Sequence, residues 1–173
     1  GYPVERTDCM HCHDPHASTR PGLFRESLHA PFEQGDCMTC HALAGSPEPF
    51  RTRLPVQRLC GECHAEEAEA AAGRPFPHLS GGDGACTACH NPHTADGKAL
   101  LKRAQKDLCL TCHDPGGAKS GQAGRFLSHG DGRDCAACHE PHGGNRPLLL
   151  TGDGVALCSG CHQPQHTVSH PTG

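Results

Sequence analysis

The pattern Cys-x-x-Cys-His occurs seven times in 173 residues, and the seven copies use all 14 cysteines of the chain. They begin at Cys9, Cys37, Cys60, Cys86, Cys109, Cys135 and Cys158. This is the attachment signature of c-type haem, and its chemistry explains its spelling. Two thiols three residues apart lie about one helical turn from each other and can add to the two vinyl groups of one porphyrin. The histidine that follows is placed to bind the iron. A chain so built must fold around its cofactors. Seven haem c groups are expected, attached through Cys9 and Cys12, Cys37 and Cys40, Cys60 and Cys63, Cys86 and Cys89, Cys109 and Cys112, Cys135 and Cys138, and Cys158 and Cys161. Their proximal ligands would be His13, His41, His64, His90, His113, His139 and His162.

Other readings of the cysteines fail on detail. Zinc normally takes four ligands, usually from two Cys-x-x-Cys pairs; seven pairs leave one unmatched, and zinc gives no reason for a histidine after each. A disulfide framework suits an extracellular chain rich in cysteine, yet it explains neither the spacing nor the adjacent histidine. Thioredoxin-like motifs come singly, in α/β domains.

Without cofactors the composition points towards disorder. Hydrophobic residues make up 35% of the chain and aromatics 3%, there is no Trp, and Gly and Pro number 22 and 15. So polar a chain, so rich in turn formers, has little apolar surface from which to build a core. Seven porphyrins resolve the difficulty by bringing that surface with them. The expected fold is therefore mostly loop with short α-helices and little or no sheet, a thin polypeptide layer packed on haem. The formal charge of −4 becomes more negative with two propionates per haem. Scattered positive charge on an acidic chain argues against a nucleic-acid partner, and no apolar run approaches a membrane span. Numbering from Gly1 reads like a processed, exported chain, and covalent haem attachment takes place outside the cytoplasm. An extracellular or periplasmic location is expected.

The motifs are spaced in a repeat. Cys37 to Cys60, Cys86 to Cys109 and Cys135 to Cys158 are each 23 residues apart, and Cys37, Cys86 and Cys135 follow one another at 49. Each unit holds a first motif, A, and a second, B. His29, His78 and His129 precede the A motifs, and two A motifs run on into x-Pro-His, as His90-Asn91-Pro92-His93 and His139-Glu140-Pro141-His142. The B motifs follow a leucine (Leu59, Leu108 and Leu157). This grammar resembles the doubled Cys-x-x-Cys-His family of multihaem c-type cytochromes over most of the chain. The first A motif departs from it, continuing as Ala42-Leu43-Ala44. The motif at Cys9 stands alone. His13 to His29 and His113 to His129 are both 16 residues, and both stretches open with Asp-Pro, so the first motif reads as a B without its A. One heptahaem domain over 1–173 is expected, with a half unit at 1–28, two-haem units at 29–77, 78–128 and 129–165, and a tail at 166–173. Short helical turns should run through the motifs and a longer helix through Ala65–Ala72. Gly-Asp-Gly segments within Ser80–Gly84, Gly130–Gly132 and Gly152–Gly154 read as turns, without the oxygen ligands of an EF-hand.

Nine of the 16 histidines are not proximal ligands: His11, His16, His29, His78, His93, His129, His142, His166 and His170. That surplus favours two histidines per iron. Met10 and Met38 each lie inside a motif, which all but excludes methionine. The unit-opening His29, His78 and His129 are expected to cap the A haem of their own unit. His93 and His142 are expected to serve the B haem of theirs, and His16 the haem at Cys60. For His11 a surface role is expected. The haem at Cys9 then lacks a distal ligand, while His166 and His170 have no later haem to serve. One copy's tail could ligate the first haem of the next, a heterologous contact that propagates and is similar in kind to extracellular cytochrome filaments. A tail folded back on its own chain is the alternative.

Electron transfer is the function expected, with redox proteins, extracellular acceptors or further copies as partners. A monomeric periplasmic shuttle is the alternative. A multihaem reductase needs an exchangeable position at one iron and often alters one motif; here all seven end in histidine. Chain produced without haem attachment should be unfolded, as small metal-dependent domains are, and far-UV circular dichroism checks this. A native-like spectrum of that chain would contradict it.

Overall fold

Regular structure in this chain forms mainly where the cysteine motifs lie. The computed structural model describes residues 1–16, 18–78, 85–113 and 134–161. His129, His162, His166 and His170, and the turns at Ser80–Gly84 and Gly130–Gly132, lie outside the described residues. The α-helices are α1 (Ala30–Glu33), α2 (Val56–Gly61), α3 (Ala65–Gly73), α4 (Ala85–Cys89), α5 (Gln105–Cys109) and α6 (Gly154–Ser159). The longest among the described residues, α3, has nine residues and takes up the Ala- and Glu-rich run. Helices this short are unstable alone and must be held by what they pack against. The sheet is two residues wide on each side: β1 (Ser27–Leu28) pairs antiparallel with β2 (Thr94–Ala95). The architecture is the loop-rich, nearly sheetless one that composition demands.

A and B motifs enter their turns differently. At Cys60, Cys109 and Cys158 an α-helix starts four residues earlier and carries the motif's first cysteine. At Cys9, Cys37 and Cys135 the motif is a single 3-10 turn, and at Cys86 the helix begins only one residue before the motif, so none of these four has the preceding helical turn. The first motif therefore has the local backbone of an A motif, a correction to the reading drawn from its spacing.

Units are joined in one recurrent way. Ser27 faces Ala95 and Leu28 faces Thr94 across the small sheet. Forty-nine residues on, Phe76 bridges Gly144, with N–H···O bonds of 3.1 and 2.9 Å in the two directions. The segment that leads into one unit's opening histidine thus pairs with the segment that follows x-Pro-His in the next unit.

Polypeptide alone supplies almost no core. Among the described residues the buried apolar side chains are Ala70 and Ala95, and Thr94 is buried as well. Leu148 is 79% exposed and Val155 85%. Large apolar side chains left in the open mark surfaces made for another apolar body.

Three loops carry backbone strain. Gly22 and Leu23, Ala99 and Leu100, and Leu148 and Leu149 have φ between +53° and +72°. Two successive positive φ values make the tight turn that favours Asn-Gly, and each ordinary L-residue held there costs about 1–2 kcal/mol. The Ala99→Gly substitution removes that cost with the loss of a single exposed methyl. It should raise the stability of the haem-loaded chain by about 1 kcal/mol, read as a higher urea midpoint; a lower midpoint would contradict the account.

Candidate functional site

The site is a set of equivalent turns. In all six motifs whose histidine is described, the histidine N–H donates to the carbonyl of the first cysteine at 2.9–3.0 Å. This is one helical turn, and it puts the two thiols and the imidazole in a fixed relation.

In four motifs the imidazole is also oriented from behind. His13 donates from Nδ1 to the Gly22 carbonyl at 2.7 Å, His41 to Phe50 at 2.7 Å, His90 to Ala99 at 2.7 Å and His139 to Leu148 at 2.8 Å. Each acceptor lies nine residues after its histidine. A carbonyl can only accept, so Nδ1 carries the proton and Nε2 is left as the metal-binding nitrogen. The strained turns now have a use, because they aim three of these carbonyls. At His41 a loop of the same length without positive φ reaches the same result.

Histidines then face each other in pairs. Ring centroids lie 6.0 Å apart for His29 and His64, 5.8 Å for His41 and His93, 5.8 Å for His78 and His113, and 5.9 Å for His90 and His142. A metal–imidazole bond of about 2 Å on each side, plus roughly 1 Å from nitrogen to ring centre, sets two trans imidazoles about 6 Å apart. The spacing fits one iron between each pair. It also corrects the expected pairing. His29 and His78 face the B histidines of their own units instead of the A histidines. His93 and His142 face the A histidines of the preceding units instead of their own B motifs. His16, expected at the Cys60 motif, is not there; His29 holds that place. Desolvation, and then the charge His90 would carry, push His142 below the ordinary imidazole value.

The same joint positions the pairs. His29 donates from Nδ1 to the Pro92 carbonyl at 3.0 Å, and His78 to Pro141 at 2.7 Å. The x-Pro-His segment thereby presents its own histidine to one pair and orients the neighbouring histidine of another. Arginine four residues before the opening histidine adds an ion pair across the joint. Arg25 meets Asp96, and Arg74 meets Glu140 at 3.3 Å and the Gly143 carbonyl at 2.9 Å.

The thiols form a row. Burial and the adjacent Cys86 push Cys60 up to about 11, and burial and Cys135 do the same to Cys109. Burial also raises Cys40 and Cys89, reinforced by Cys63 and Cys112 and partly countered by Arg53 and Lys102. Each thiol's neighbour belongs to the next motif along the chain, so attachment points from Cys37 to Cys135 follow one another in space. Among the described residues no three His, Cys, Asp or Glu side chains converge on one point. Paired imidazoles beside paired thiols fit haem.

Two features escaped the sequence reading. One is that His13-Asp14-Pro15-His16 is itself an x-Pro-His, visible once its turn is seen to match His90 and His139. The other is an aromatic cluster at the irregular 28-residue step from Cys9 to Cys37. There Phe24 lies 4.7 Å from His13 and 5.7 Å from Phe32, which lies 5.3 Å from His93. Tyr2 and Phe50 flank His41 at 6.4 and 6.2 Å. Asp153, in the described Gly-Asp-Gly segment, bonds Arg146 at 3.2 Å. No helix among the described residues is long and apolar enough to cross a membrane.

Compared with known proteins, the chain matches the model of the doubled CXXCH motif family at residues 2–28, 29–69, 78–118 and 129–167. No curated protein matches it. The closest approach in the joint gives a test of the geometry. A Cβ at Gly143, whose φ is +112°, would lie 2.3 Å from the Ala70 carbonyl oxygen. The Gly143→Ala substitution should cost about 2 kcal/mol, read as a lower denaturant midpoint of the haem-loaded chain; an unchanged midpoint would show that the contact is not made.

Proposed function

This chain belongs to the doubled CXXCH motif family of multihaem c-type cytochromes, and from that premise we propose that it conducts electrons along seven covalent haems, each iron held between two histidines. The carrying observation is the set of four opposed imidazole pairs in repeating register. When bound, the haem irons supply the redox couples, and their axial ligands, burial and nearby charge set the potentials. The chain's own contribution is positional. Backbone carbonyls fix the tautomer and aim of the A histidines. The x-Pro-His joints bring a histidine from one unit to a motif of another, so adjacent units are tied through the ligands themselves. Two histidines per iron leave no position for substrate, which favours a carrier over a reductase. The neighbouring thiols of successive motifs support consecutive haems lying close together.

The proposed setting is outside the cytoplasm, with long-range conduction by copies joined head to tail and with redox proteins or extracellular acceptors at the ends. His166 and His170 are the proposed tail ligands for the first haem of the next copy. Alanine at both should shorten or abolish filaments seen by electron microscopy; filaments of unchanged length would remove the tail from the joint.

Three measurements test the carrier reading. Intact mass should exceed that of the polypeptide by seven haem groups. Low-temperature EPR of the oxidised protein should show low-spin ferric haem throughout. The His29→Ala substitution should convert one haem in seven, the one at Cys60, to high spin. A spectrum unchanged by that substitution would break the assignment of His29.

A further inference from the structure

One of the four imidazole pairs is enclosed differently from the rest. At the Cys37 motif both members, His41 and His93, are half-buried, whereas each other pair has an exposed member, His64, His113 or His142. Aromatic rings surround that pair. Tyr2 and Phe50 lie 6.4 and 6.2 Å from His41 and 5.9 Å from each other, and Phe32 lies 5.3 Å from His93. The Tyr2 hydroxyl donates to the Ala42 carbonyl at 2.5 Å, which fixes the ring and satisfies its polar end. Among the described residues no Phe or Tyr ring lies against the other three pairs. The repeat shows these rings to be additions. One and two units on, Phe32 is replaced by Gly81 and Gly130, and Phe50 by Ala99 and Leu148.

We propose that Tyr2, Phe32 and Phe50 raise the reduction potential of the haem at Cys37 above that of the haem at Cys86, its counterpart in the next unit. The two sites are otherwise closely matched. At both, the proximal histidine donates from Nδ1 to a carbonyl nine residues on at 2.7 Å, and the facing histidine comes from the following x-Pro-His. At both, a cation bonds a carbonyl inside the motif, Arg53 to Thr39 and Lys102 to Thr87. The apolar shell is what differs. A shell that excludes water lowers the local dielectric and penalises the more highly charged state. Ferric iron carries one positive charge more than ferrous, so enclosure favours the reduced form and the potential rises. Asp36 and Glu62 beside the Cys37 motif act the other way, but both are exposed, where solvent and salt screen them. The proposal rests on two-histidine ligation in the carrier reading and adds unevenness to it: repeats alike in ligation differ in how firmly they hold an electron.

Optical redox titration of the haem-loaded chain tests it. The component lost on Cys37→Ala with Cys40→Ala should lie at higher potential than the component lost on Cys86→Ala with Cys89→Ala. Phe32→Gln and Phe50→Gln should each move the Cys37 component down, and Phe32→Leu, which keeps the shell apolar, should leave it in place. Phe50 is 37% exposed, so its replacement disturbs little packing. Low-spin EPR signals from every haem in the glutamine variants would show that the shell changed and the ligands did not. A Cys37 component at or below that of Cys86 would overturn the proposal, as would glutamine variants whose titration curves overlay that of wild type. The second result requires no haem to be removed, so it decides even where a variant lacking a haem does not fold. A high-spin haem in the glutamine variants would mean that the rings hold a ligand and not a potential, and would overturn it too. Any of these results with a wholly low-spin wild type leaves the carrier reading standing; a high-spin haem in wild type counts against that reading instead.

Discussion

Two imidazoles facing each other at about 6 Å, one from each of two segments far apart in sequence, are the contact on which the rest of this structure depends. The polypeptide offers few other reasons to be compact. Among the described residues the helices are short, the sheet pairs two residues with two, and the buried side chains are small. In a chain with so little core, order has to come from bonds that tie distant residues to a shared body. Covalent attachment through two thiols fixes one side of that body to one unit. In the carrier reading proposed above, a histidine from elsewhere fixes the other side. On that reading folding and cofactor loading are one process, as with structural metals.

The direction of these ties gives the protein its character. Had each unit closed its own irons, the chain would be a string of independent two-haem beads. Instead His93 and His142 reach back to the preceding unit, and the Pro92 and Pro141 carbonyls beside them orient His29 and His78 of that same unit. The arrangement resembles a solenoid, in which each repeat is completed by its neighbour. Strain is concentrated where this demands most of the backbone. Leu and Ala occupy positive φ at the turns that aim a carbonyl at an A histidine, the kind of outlier that persists only where its surroundings fix it.

Much of this was legible in the residues. The count and spacing of cysteines gave the cofactor and the 49-residue unit, and the scarcity of apolar side chains gave the loop-rich fold. The pairing of histidines was not legible, for a physical reason. Proximity in sequence suggested that His29 would serve Cys37, eight residues on, but a chain that pairs β1 with β2 delivers His29 to His64 and His93 to His41. Antiparallel contact between units, two residues long, leaves no periodic signal. Spacing also misled at Cys9, where the local grammar His13-Asp14-Pro15-His16 carried more information than the distance to His29. Motif identity reflects turn geometry, whereas intervening length varies with loops.

The most direct test of this account is an experimental density map of the haem-loaded protein that resolves the axial ligands of individual irons. The account predicts His29 with His64, His41 with His93, His78 with His113, and His90 with His142. A map in which His29 lies opposite His41, or His93 opposite His64, would contradict the joint on which the account rests.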